Sequence, residues 1–334
     1  MRIALDAMGG DHAPAEVVQG ALRALKDEPD ATVILVGRED AIRKELEGAP
    51  DFGDRLAIVH AEDVVDCHES PVEALRKKKD NSIVKAIGLV AMGKADAFVS
   101  AGNTGAVVGA SQFVLKLVPG IRRAGIAVAL GTRDNKTVVI DVGANVHCKP
   151  VHLLHYGVMA SIYAEKILGI ENPRVALLNI GEEEAKGNPL VKETRDLFAT
   201  APFNYTGMAE GNHVFAHKAD VIVCEGFVGN VMLKVSEGLA EVMHREFESV
   251  FGGYVRANQD PELEKTIGRF RRNTDYAEEG AAPLLGVNGN VLICHGRSDR
   301  RAIGNAVKTA ARFVRAGVVD RIAAGVSTTQ SSES

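Results

Sequence analysis

The chain has 334 residues, a formal net charge of −5 and 46% hydrophobic residues. This length suits one large α/β domain or two smaller ones with a sizeable core. The negative charge argues against general nucleic-acid binding. Its four cysteines lie far apart without a C-x-x-C pair, which favours a reducing compartment and argues against a zinc site built from neighbouring residues. We expect neither a signal peptide nor a membrane-spanning segment, and therefore a cytoplasmic location.

Short apolar strands alternate with amphipathic helices along the chain. The sequence predicts strands at 3–7, 32–36, 56–59, 97–100, 126–130, 138–140, 175–180, 221–224 and 291–294. It predicts helices after Pro14, at 83–92, from about 106, and at 151–168, 231–250 and 302–316. This alternation predicts an α/β fold with a doubly wound, mostly parallel sheet and helices on both faces. We expect residues 1–326 to form a single domain and residues 327–334 a polar, frayed tail.

A strand–turn–helix corner follows the predicted strand 97–100. The corner carries two glycines and three short polar side chains, at Ser100, Gly102, Asn103, Thr104 and Gly105. Glycine lets the backbone approach a ligand closely, and the helix that follows presents free N–H groups and the positive end of its dipole. Such a corner suits phosphate or another anion. A tight connection without a ligand is equally compatible with this stretch alone.

Glycine-rich polar turns follow six of the predicted strands. They are Asp6–Asp11, Ser100–Gly105, Asp141–Asn145, Asn179–Gly187, Glu225–Asn230 and His295–Ser298. Parallel sheets place ligands at the carboxyl ends of their strands. We therefore expect these turns to share one rim of the sheet and to form one ligand site there.

Several motifs together resemble one known family. They are Met8-Gly-Gly-Asp11, Glu69-Ser-Pro71 with Ala74-Leu-Arg-Lys-Lys-Lys79, Ser100-Ala-Gly-Asn-Thr-Gly-Ala106, Asp141-Val-Gly-Ala-Asn145, Asn179-Ile-Gly-Glu-Glu183 with Lys186-Gly187, and Gly226-Phe-Val-Gly-Asn-Val-Met-Leu-Lys234. Over nearly the whole chain, the sequence resembles the phosphate acyltransferase family of bacterial phospholipid synthesis. It departs from the family where Glu225 stands in place of the usual Asp and where Glu279-Gly280-Ala281 replaces a more glycine-rich run.

The resemblance implies an enzyme that transfers a long-chain fatty acyl group from acyl carrier protein to inorganic phosphate. The product is acyl phosphate for phosphatidic acid synthesis, and no cofactor is implied. The resemblance also implies a homodimer and a fold related to phosphotransacetylases and isopropylmalate dehydrogenases. The residues themselves predict a helical hairpin at about 231–271, whose second helix lies near 261–270. A membrane-bound glycerol-3-phosphate acyltransferase would use the product.

Two other functions remain open at this point. One is a phosphotransacylase that acts on short acyl-CoA, and the other is a non-catalytic anion-binding scaffold of the same fold. The donor preference separates the first alternative from the carrier-dependent enzyme, and acyl phosphate formation separates the second alternative from both. A dehydrogenase is disfavoured because no dinucleotide fingerprint follows any predicted strand.

The transfer of an acyl group from a thioester to phosphate needs few catalytic groups from the protein. A thioester is already activated and phosphate is itself the nucleophile, so no Ser–His–Asp or Cys–His constellation is required. The site must bind an anion and stabilise the oxyanion that forms on the carbonyl. Lys186 is a candidate for neutralising the charge of the phosphate or of the tetrahedral intermediate. Asn103 and Asn179 are candidates for orienting oxygen atoms of the reactants through their amide groups. His295 is the candidate that protonates the leaving thiolate, although a structural role is an alternative.

Further residues of the six turns, together with Lys234 just beyond the fifth turn, are candidates for binding phosphate or substrate. They are Asp6, Gly9, Gly10, Asp11, Ser100, Gly102, Thr104, Gly105, Asp141, Asn145, Glu182, Glu183, Asn230 and Lys234. The acidic members of this set suit a magnesium ion in principle. The simpler interpretation is that they pair with Lys186, Lys234 and nearby arginines and cap helices, so we predict no metal site.

Three basic groups are candidates for contact with acyl carrier protein, which is acidic. They are Arg76–Lys79, Arg269–Arg272 and Arg297–Arg301. The sequence alone does not say which group docks the carrier.

An apolar segment at Phe247–Val255 is the predicted tip of the helical hairpin. Large apolar side chains beside glycines are unexpected at a solvent-facing turn. We predict that this tip attaches the protein peripherally to the inner face of the cell membrane. The alternative is that the tip is buried against the dimer partner.

Overall fold

The computed structural model describes residues 1–132, 135–258, 262–263, 265–268 and 280–330, and the side chains of 255–258 and 327–330 lie outside this description. The strands are β1 (Arg2–Asp6), β2 (Thr32–Gly37), β3 (Leu56–His60), β4 (Ala97–Ser100), β5 (Gly125–Thr132), β6 (Asn135–Ile140), β7 (Arg174–Leu178), β8 (Asn204–Ala209), β9 (Val221–Val223), β10 (Ala282–Leu285) and β11 (Asn290–Ile293). They form one sheet in the order β3-β2-β1-β4-β11-β10-β5-β6-β9-β7-β8.

Helices cover both faces of this sheet. They are α1 (Ala15–Asp27), α2 (Glu39–Glu45), α3 (Pro71–Lys77), α4 (Ser82–Ala91), α5 (Thr104–Val114), α6 (Pro150–Tyr163), α7 (Pro189–Phe198), α8 (His213–Ala216), α9 (Gly226–Asn258), α10 (Arg300–Ala316) and α11 (Val318–Gln330). No helix within the described ranges is long and apolar enough to cross a membrane.

The core consists of two apolar clusters, one on each face of the sheet. Along β1, Ile3 and Leu5 belong to the cluster that contains α1, α6 and α10, whereas Ala4 belongs to the cluster that contains α4 and α5. Successive residues of a strand point to opposite faces, so a strand covered on both faces must be apolar throughout. The predicted α/β fold with helices on both faces is confirmed.

The strand direction reverses at the centre of the sheet. β10 pairs antiparallel with both β11 and β5, and β5 pairs antiparallel with β6. Consequently the carboxyl ends of β1, β4 and β11 lie on one side of the sheet, and those of β6, β9 and β7 lie on the opposite side. These two sets of strand ends, which are distinct from the edge strands β3 and β8, are called here the first edge and the second edge. The prediction that all six turns share one rim is wrong. The sequence analysis missed β10, a four-residue strand that contains a proline.

Most predicted elements are present with shifted ends. The sequence analysis missed β8, β10, α2, α3, α7, α8 and α11. The predicted frayed tail is wrong at residues 327–330, because α11 continues to Gln330 and anchors itself through buried Val318, Ile322 and Val326. Residues 331–334 lie outside the described residues. Of the hairpin's predicted second helix, residues 262–263 and 265–268 are described, and they are helical.

Candidate active site

Three of the six predicted turns meet at the first edge, where hydrogen bonds join them. The Asp11 N–H donates to the Gly296 carbonyl at 2.8 Å, which links the turn after β1 to the turn after β11. The Ser100 hydroxyl donates to Asp6 Oδ2 at 2.7 Å and accepts from the Gly102 N–H at 3.0 Å. The turns after β1, β4 and β11 therefore form one connected surface.

Two glycines permit the close approach of these turns. A Cβ atom on Gly9 would lie 2.5 Å from Asp6 Oδ2 and 2.6 Å from the Gly102 nitrogen. Gly10 has a φ of +108°, and its Cβ atom would lie 3.1 Å from the Gly296 carbonyl oxygen. Any side chain at Gly9 would separate the turns, and one at Gly10 would also strain the backbone.

Asp6 lies beneath this surface rather than on it, because its side chain is only 1% exposed. Burial raises the pKa of the Asp6 carboxyl, and hydrogen bonds from Ser82, Ser100 and the backbone of Met8 and Gly9 oppose that shift. A buried carboxyl with these partners organises the turns. The predicted contact of Asp6 with substrate has no support in this geometry.

Asn103 caps α5 and holds a neighbouring loop. Its Oδ1 accepts from the Ala106 N–H at 3.0 Å, which is a side-chain N-cap. Its Nδ2 donates to the carbonyls of Asp66, Cys67 and Glu69 at 3.1, 3.2 and 3.0 Å. Both ends of the amide are thus engaged within the protein. This geometry supports a positioning role more directly than the predicted catalytic one.

The first turn of α5 is open to solvent beside Asn103. Thr104 and Gly105 are exposed, and the first N–H groups of a helix have no preceding helical carbonyl to bind. The positive end of the α5 dipole adds to their attraction for an anion. This turn fits the phosphate site that the sequence predicts.

The long helix α9 brings a lysine to the first edge. The helix begins at the second edge, after β9, yet Lys234 Nζ lies 3.4 Å from His295 Nε2 in the turn after β11. Lys234 also pairs with Glu237 at 2.8 Å, and Arg297 pairs with Glu241 at 2.8 Å. The first turns of α9 therefore connect the turn after β9 to the turn after β11.

His295 lies in an environment that favours its neutral form. Burial lowers the pKa of the imidazole, the positive charges of Lys234 and Arg297 lower it further, and Glu237 opposes them. The Arg297 N–H donates to His295 Nδ1 at 3.1 Å. The Lys234 ammonium can only donate, so each ring nitrogen of His295 faces a donor: Nδ1 faces the Arg297 N–H and Nε2 faces the ammonium group.

At the second edge, Asp141 organises the turn after β6. Its Oδ1 accepts from the N–H groups of Ile126, Gly143 and Ala144 at 3.1, 3.0 and 2.9 Å. Its Oδ2 accepts from the Asn145 N–H at 2.8 Å. Burial raises the pKa of this carboxyl, and these hydrogen bonds oppose the shift. Asp141 is fully buried, so it supports the turn from below.

Asn145 continues the network from Asp141 into the core. Its Nδ2 donates to the Ala124 carbonyl at 2.6 Å and to the Tyr156 hydroxyl at 2.8 Å. Tyr156 is fully buried, and burial raises the pKa of its hydroxyl. Glu225 caps α9 by accepting from the Phe227 N–H at 2.6 Å. At Asp141, Asn145 and Glu225, the side chains therefore serve the turns.

Lys186 lies on the second edge and is paired. Its ammonium group contacts Glu183 at 2.8 Å, and this pairing raises the pKa of Lys186 and lowers the pKa of Glu183. Glu182 pairs instead with Lys218 at 2.9 Å. The predicted pairing with Lys186 is confirmed for Glu183, whereas Asp6 and Asp141 accept hydrogen bonds from the turns instead. Within the described ranges, no group of three His, Cys, Asp or Glu residues is arranged to hold a metal ion.

Asn179 and Asn230 complete the second edge. Asn179 is nearly buried and donates through Nδ2 to the Gly181 carbonyl at 2.9 Å. A Cβ atom on Gly187 would lie 2.6 Å from Asn179 Oδ1, so that glycine lets the chain pass close to the amide. Asn230 is exposed on the first turns of α9, beside Gly143.

The structure does not bring the two predicted groups of catalytic residues together. Five strands lie between β4, which leads to Asn103, and β7, which leads to Asn179 and Lys186. At the usual spacing of neighbouring strands this separation is roughly 29 Å. The predicted action of Lys186 on a phosphate bound at the first edge therefore has no support in the geometry of a single chain.

The sequence analysis missed Glu237 and Tyr156 as residues of the two edges. Glu237 follows Lys234 by three positions, so the helical spacing was an available signal for their pairing. Tyr156 lies within an apolar helix, and nothing in its neighbourhood indicates its hydrogen bond to Asn145.

Comparison with known proteins agrees with the motifs. The model of the family described as "Fatty acid synthesis protein" matches residues 1–321. A phosphate acyltransferase of Geobacter sulfurreducens is 45% identical over 324 residues, which are 97% of this chain and 93% of that protein. The chain belongs to the phosphate acyltransferase family. A family member from Desulfitobacterium hafniense is 48% identical over 324 residues, 96% of each chain.

Solved structures of other enzymes share the fold. A phosphotransacetylase from Streptococcus pyogenes has a TM-score of 0.62 at 19% identity, covering 94% of each chain. A 4-hydroxythreonine-4-phosphate dehydrogenase from Klebsiella pneumoniae has a TM-score of 0.54 at 13% identity, covering 94% of this chain and 97% of that one. At these identities the likeness concerns the fold alone, and it confirms the predicted relation to phosphotransacetylases and to a dehydrogenase-like fold.

Proposed function

We propose that this protein transfers a long-chain fatty acyl group from acyl carrier protein to inorganic phosphate at the first edge. A phosphate oxygen attacks the thioester carbonyl carbon, a C–O bond forms, the C–S bond breaks, and the carrier leaves as its thiol. The names of the curated relatives support the acyl transfer and the use of phosphate. One observation carries the location: the open first turn of α5 lies on the same edge as Lys234 and His295.

Each first-edge group has a part in this proposal. The N–H groups of the exposed residues Thr104 and Gly105 bind the phosphate, and Lys234 balances its charge. In the tautomer that carries the proton on Nε2, neutral His295 donates to the oxyanion or to the departing sulfur. Asn103 positions the α5 turn through its cap. The turns after β4 and β11 adjoin, because these strands are direct neighbours.

A homodimer is part of the proposal. Exposed large apolar side chains run along α9, at Phe227, Val228, Val231, Val235, Leu239, Val242, Met243 and Val250. An apolar surface of this length on a water-exposed helix favours burial against a second copy of the chain. The predicted catalytic roles of Asn179 and Lys186 would then require that the partner subunit supply them to a first-edge site.

We also propose a peripheral contact with the membrane at the far end of α9. Phe251 and Tyr254 are exposed, and the rings of Phe247 and Phe251 lie 4.9 Å apart. The side chains of Val255 and Arg256 lie outside the described residues. The protein would then reside in the cytoplasm, against the inner face of the membrane. Release there would pass the easily hydrolysed acyl phosphate to a membrane-bound glycerol-3-phosphate acyltransferase.

One assay tests this function against its alternatives. Purified protein receives inorganic phosphate and acyl carrier protein thioesters of several chain lengths, and hydroxylamine traps the acyl phosphate as a hydroxamate. Acyl-CoA replaces the carrier thioester in a parallel series, and a series without phosphate is the control. We expect phosphate-dependent product that is greatest with long-chain carrier thioesters. A preference for short acyl-CoA supports the phosphotransacylase alternative, and no product with any donor supports the scaffold.

A further inference from the structure

We propose that a basic surface on α3, α5 and the residues just after each helix is the docking site for the acidic carrier protein that delivers the acyl group. This inference rests on the proposed function, in which a carrier protein is the donor. The surface, called here the docking face, comprises Val72, Arg76, Lys79, Phe113 and Lys116. All five side chains are exposed.

The docking face exists because two helices pack side by side in the same direction. A Cβ atom on Gly105 would lie 2.5 Å from the Pro71 side chain, and one on Gly109 would lie 3.3 Å from the Leu75 side chain. These two contacts advance by four residues on both helices, so their facing rows are in register. Phe113 lies four residues beyond Gly109 on α5, and Lys79 follows the end of α3 by two residues. Residues that are distant in the sequence thus form one surface.

The positive charge of the docking face is largely uncompensated. Lys77 pairs with Glu73 at 2.8 Å, and Lys78 pairs with Glu69 at 2.6 Å, so half of the basic run is neutralised. Arg76 and Lys79 form no ion pair with any of the described residues. Lys116 lies over the Phe113 ring, with its Nζ 4.9 Å from the ring centroid. Three cations therefore remain available to an acidic partner.

Two large apolar side chains accompany these cations. Val72 and Phe113 are each 77% exposed. Interfaces between proteins are enriched in aromatic anchors whose surroundings are polar or charged. A flat aromatic ring among cations is better suited to a protein than to a small anion.

The other two basic groups are weaker candidates. Arg297 pairs with Glu241 at 2.8 Å, and the Arg300 guanidinium forms a bidentate ion pair with the Glu16 carboxylate, with N···O distances of 2.5 to 3.2 Å. These pairs leave less free charge than the docking face has. The group at 269–272 lies outside the described residues.

The position of the docking face suits delivery to the first edge. α5 begins in the open turn proposed for phosphate, and Phe113 lies nine residues along it, about 14 Å away. A carrier protein presents its thioester on a flexible prosthetic arm, so its folded domain docks at a distance from the reacting carbonyl. Opposite charges on the two surfaces would increase the rate of encounter and make it sensitive to salt.

Charge reversal tests the docking face. The test variant combines Arg76→Glu, Lys79→Glu and Lys116→Glu. The matched control combines Lys44→Glu, Lys192→Glu and Arg321→Glu, three exposed cations on different helices, so the net charge changes equally. At low salt we expect the test variant to raise the KM for the carrier thioester at least tenfold. The difference should shrink at high salt, while the KM for phosphate and the rate with acyl-pantetheine, which lacks the carrier domain, stay unchanged.

The outcomes separate docking from folding and from the proposed function. A second variant, Phe113→Ala, retains all charges and should also raise the KM for the carrier thioester, with an unchanged melting temperature. A test variant that behaves like the control overturns the docking face, as does an equal loss with both donors. Lost co-sedimentation with anionic vesicles but normal carrier kinetics would assign the face to a membrane and overturn it too. If the unmodified protein forms acyl phosphate from no donor, the proposed function itself fails.

Discussion

Lys234 Nζ lies 3.4 Å from His295 Nε2, although 61 residues separate them in the chain. The contact joins a helix that starts at the second edge to a turn on the first edge. Two positively charged groups at this distance would repel each other, so the lysine favours the neutral imidazole. The pair therefore offers a cation and a neutral proton donor at one place.

Replacing Lys234 tests this pair. In Lys234→Met we expect the pKa of His295 to rise, because a positive neighbour is lost, and NMR titration of the histidine measures it. We also expect the KM for phosphate to rise at least tenfold, or about 1.4 kcal/mol of lost binding free energy. Glu237→Gln is the control, because it removes a negative neighbour and should therefore lower the pKa of His295. An unchanged His295 titration in Lys234→Met would contradict the pairing.

Substitutions of Asn103 separate its two candidate roles. Asn103→Ala and Asn103→Asp both lose the donors that hold residues 66–69, so both should lower the free energy of unfolding, by about 1–3 kcal/mol. Asn103→Asp also places a negative charge beside the open α5 turn. We therefore expect it to raise the KM for phosphate more than Asn103→Ala does. Equal KM values in the two variants would indicate that the side chain serves only the loop.

Lys186→Ala tests whether the second edge takes part in the reaction. If Lys186 acts on the substrate, activity should fall at least tenfold, which corresponds to about 1.4 kcal/mol of transition-state stabilisation. Lys218→Ala is the matched control, because Lys218 is exposed and pairs with Glu182, close in sequence to the glutamate that pairs with Lys186. Steady-state rates of both variants decide the question. Near-normal turnover of a folded Lys186→Ala variant would reject the role.

Two glycines of α9 should respond oppositely to alanine. A Cβ atom on Gly229 would overlap the Asp141 carbonyl oxygen, which belongs to the backbone, whereas one on Gly238 would meet nothing within 4 Å. Gly229→Ala should therefore destabilise the protein by more than about 2 kcal/mol. Gly238→Ala should stabilise it by about 0.5–1 kcal/mol through helix propensity. Urea unfolding measures both, and similar shifts would contradict the close approach of α9 to the turn after β6.

The tip of α9 gives a test of membrane attachment. The double variant Phe251→Asp, Tyr254→Asp should abolish co-sedimentation with anionic liposomes, because each side chain contributes about 1.5–3 kcal/mol when fully buried. Activity on dissolved substrates and the dimer should persist, as measured by the hydroxamate assay and by sedimentation velocity. Dissociation of the dimer would instead favour burial of the tip against the partner. Unchanged liposome binding would contradict the membrane proposal.

The sequence predicted the local elements well where apolar residues are continuous. β4 has the bounds that its apolar run predicts, and the anion-binding corner begins where the glycines indicate. β10 was missed because a proline interrupts its short apolar run, and α3 was missed because seven residues carry little periodicity. The family motifs likewise predicted the activity, since they depend on residue identity alone.

The sequence by itself determined the α/β class, the polar turns at strand ends and the family. Only the tertiary structure decided which turns meet. Strand direction depends on pairing between distant segments, and the antiparallel strands β10, β5 and β6 divide the six turns between two edges. The same long-range packing places Lys234 next to His295 at the first edge, whereas Lys186 lies on the second edge. Residue periodicity is a local property, whereas these distances follow from the order of the whole sheet.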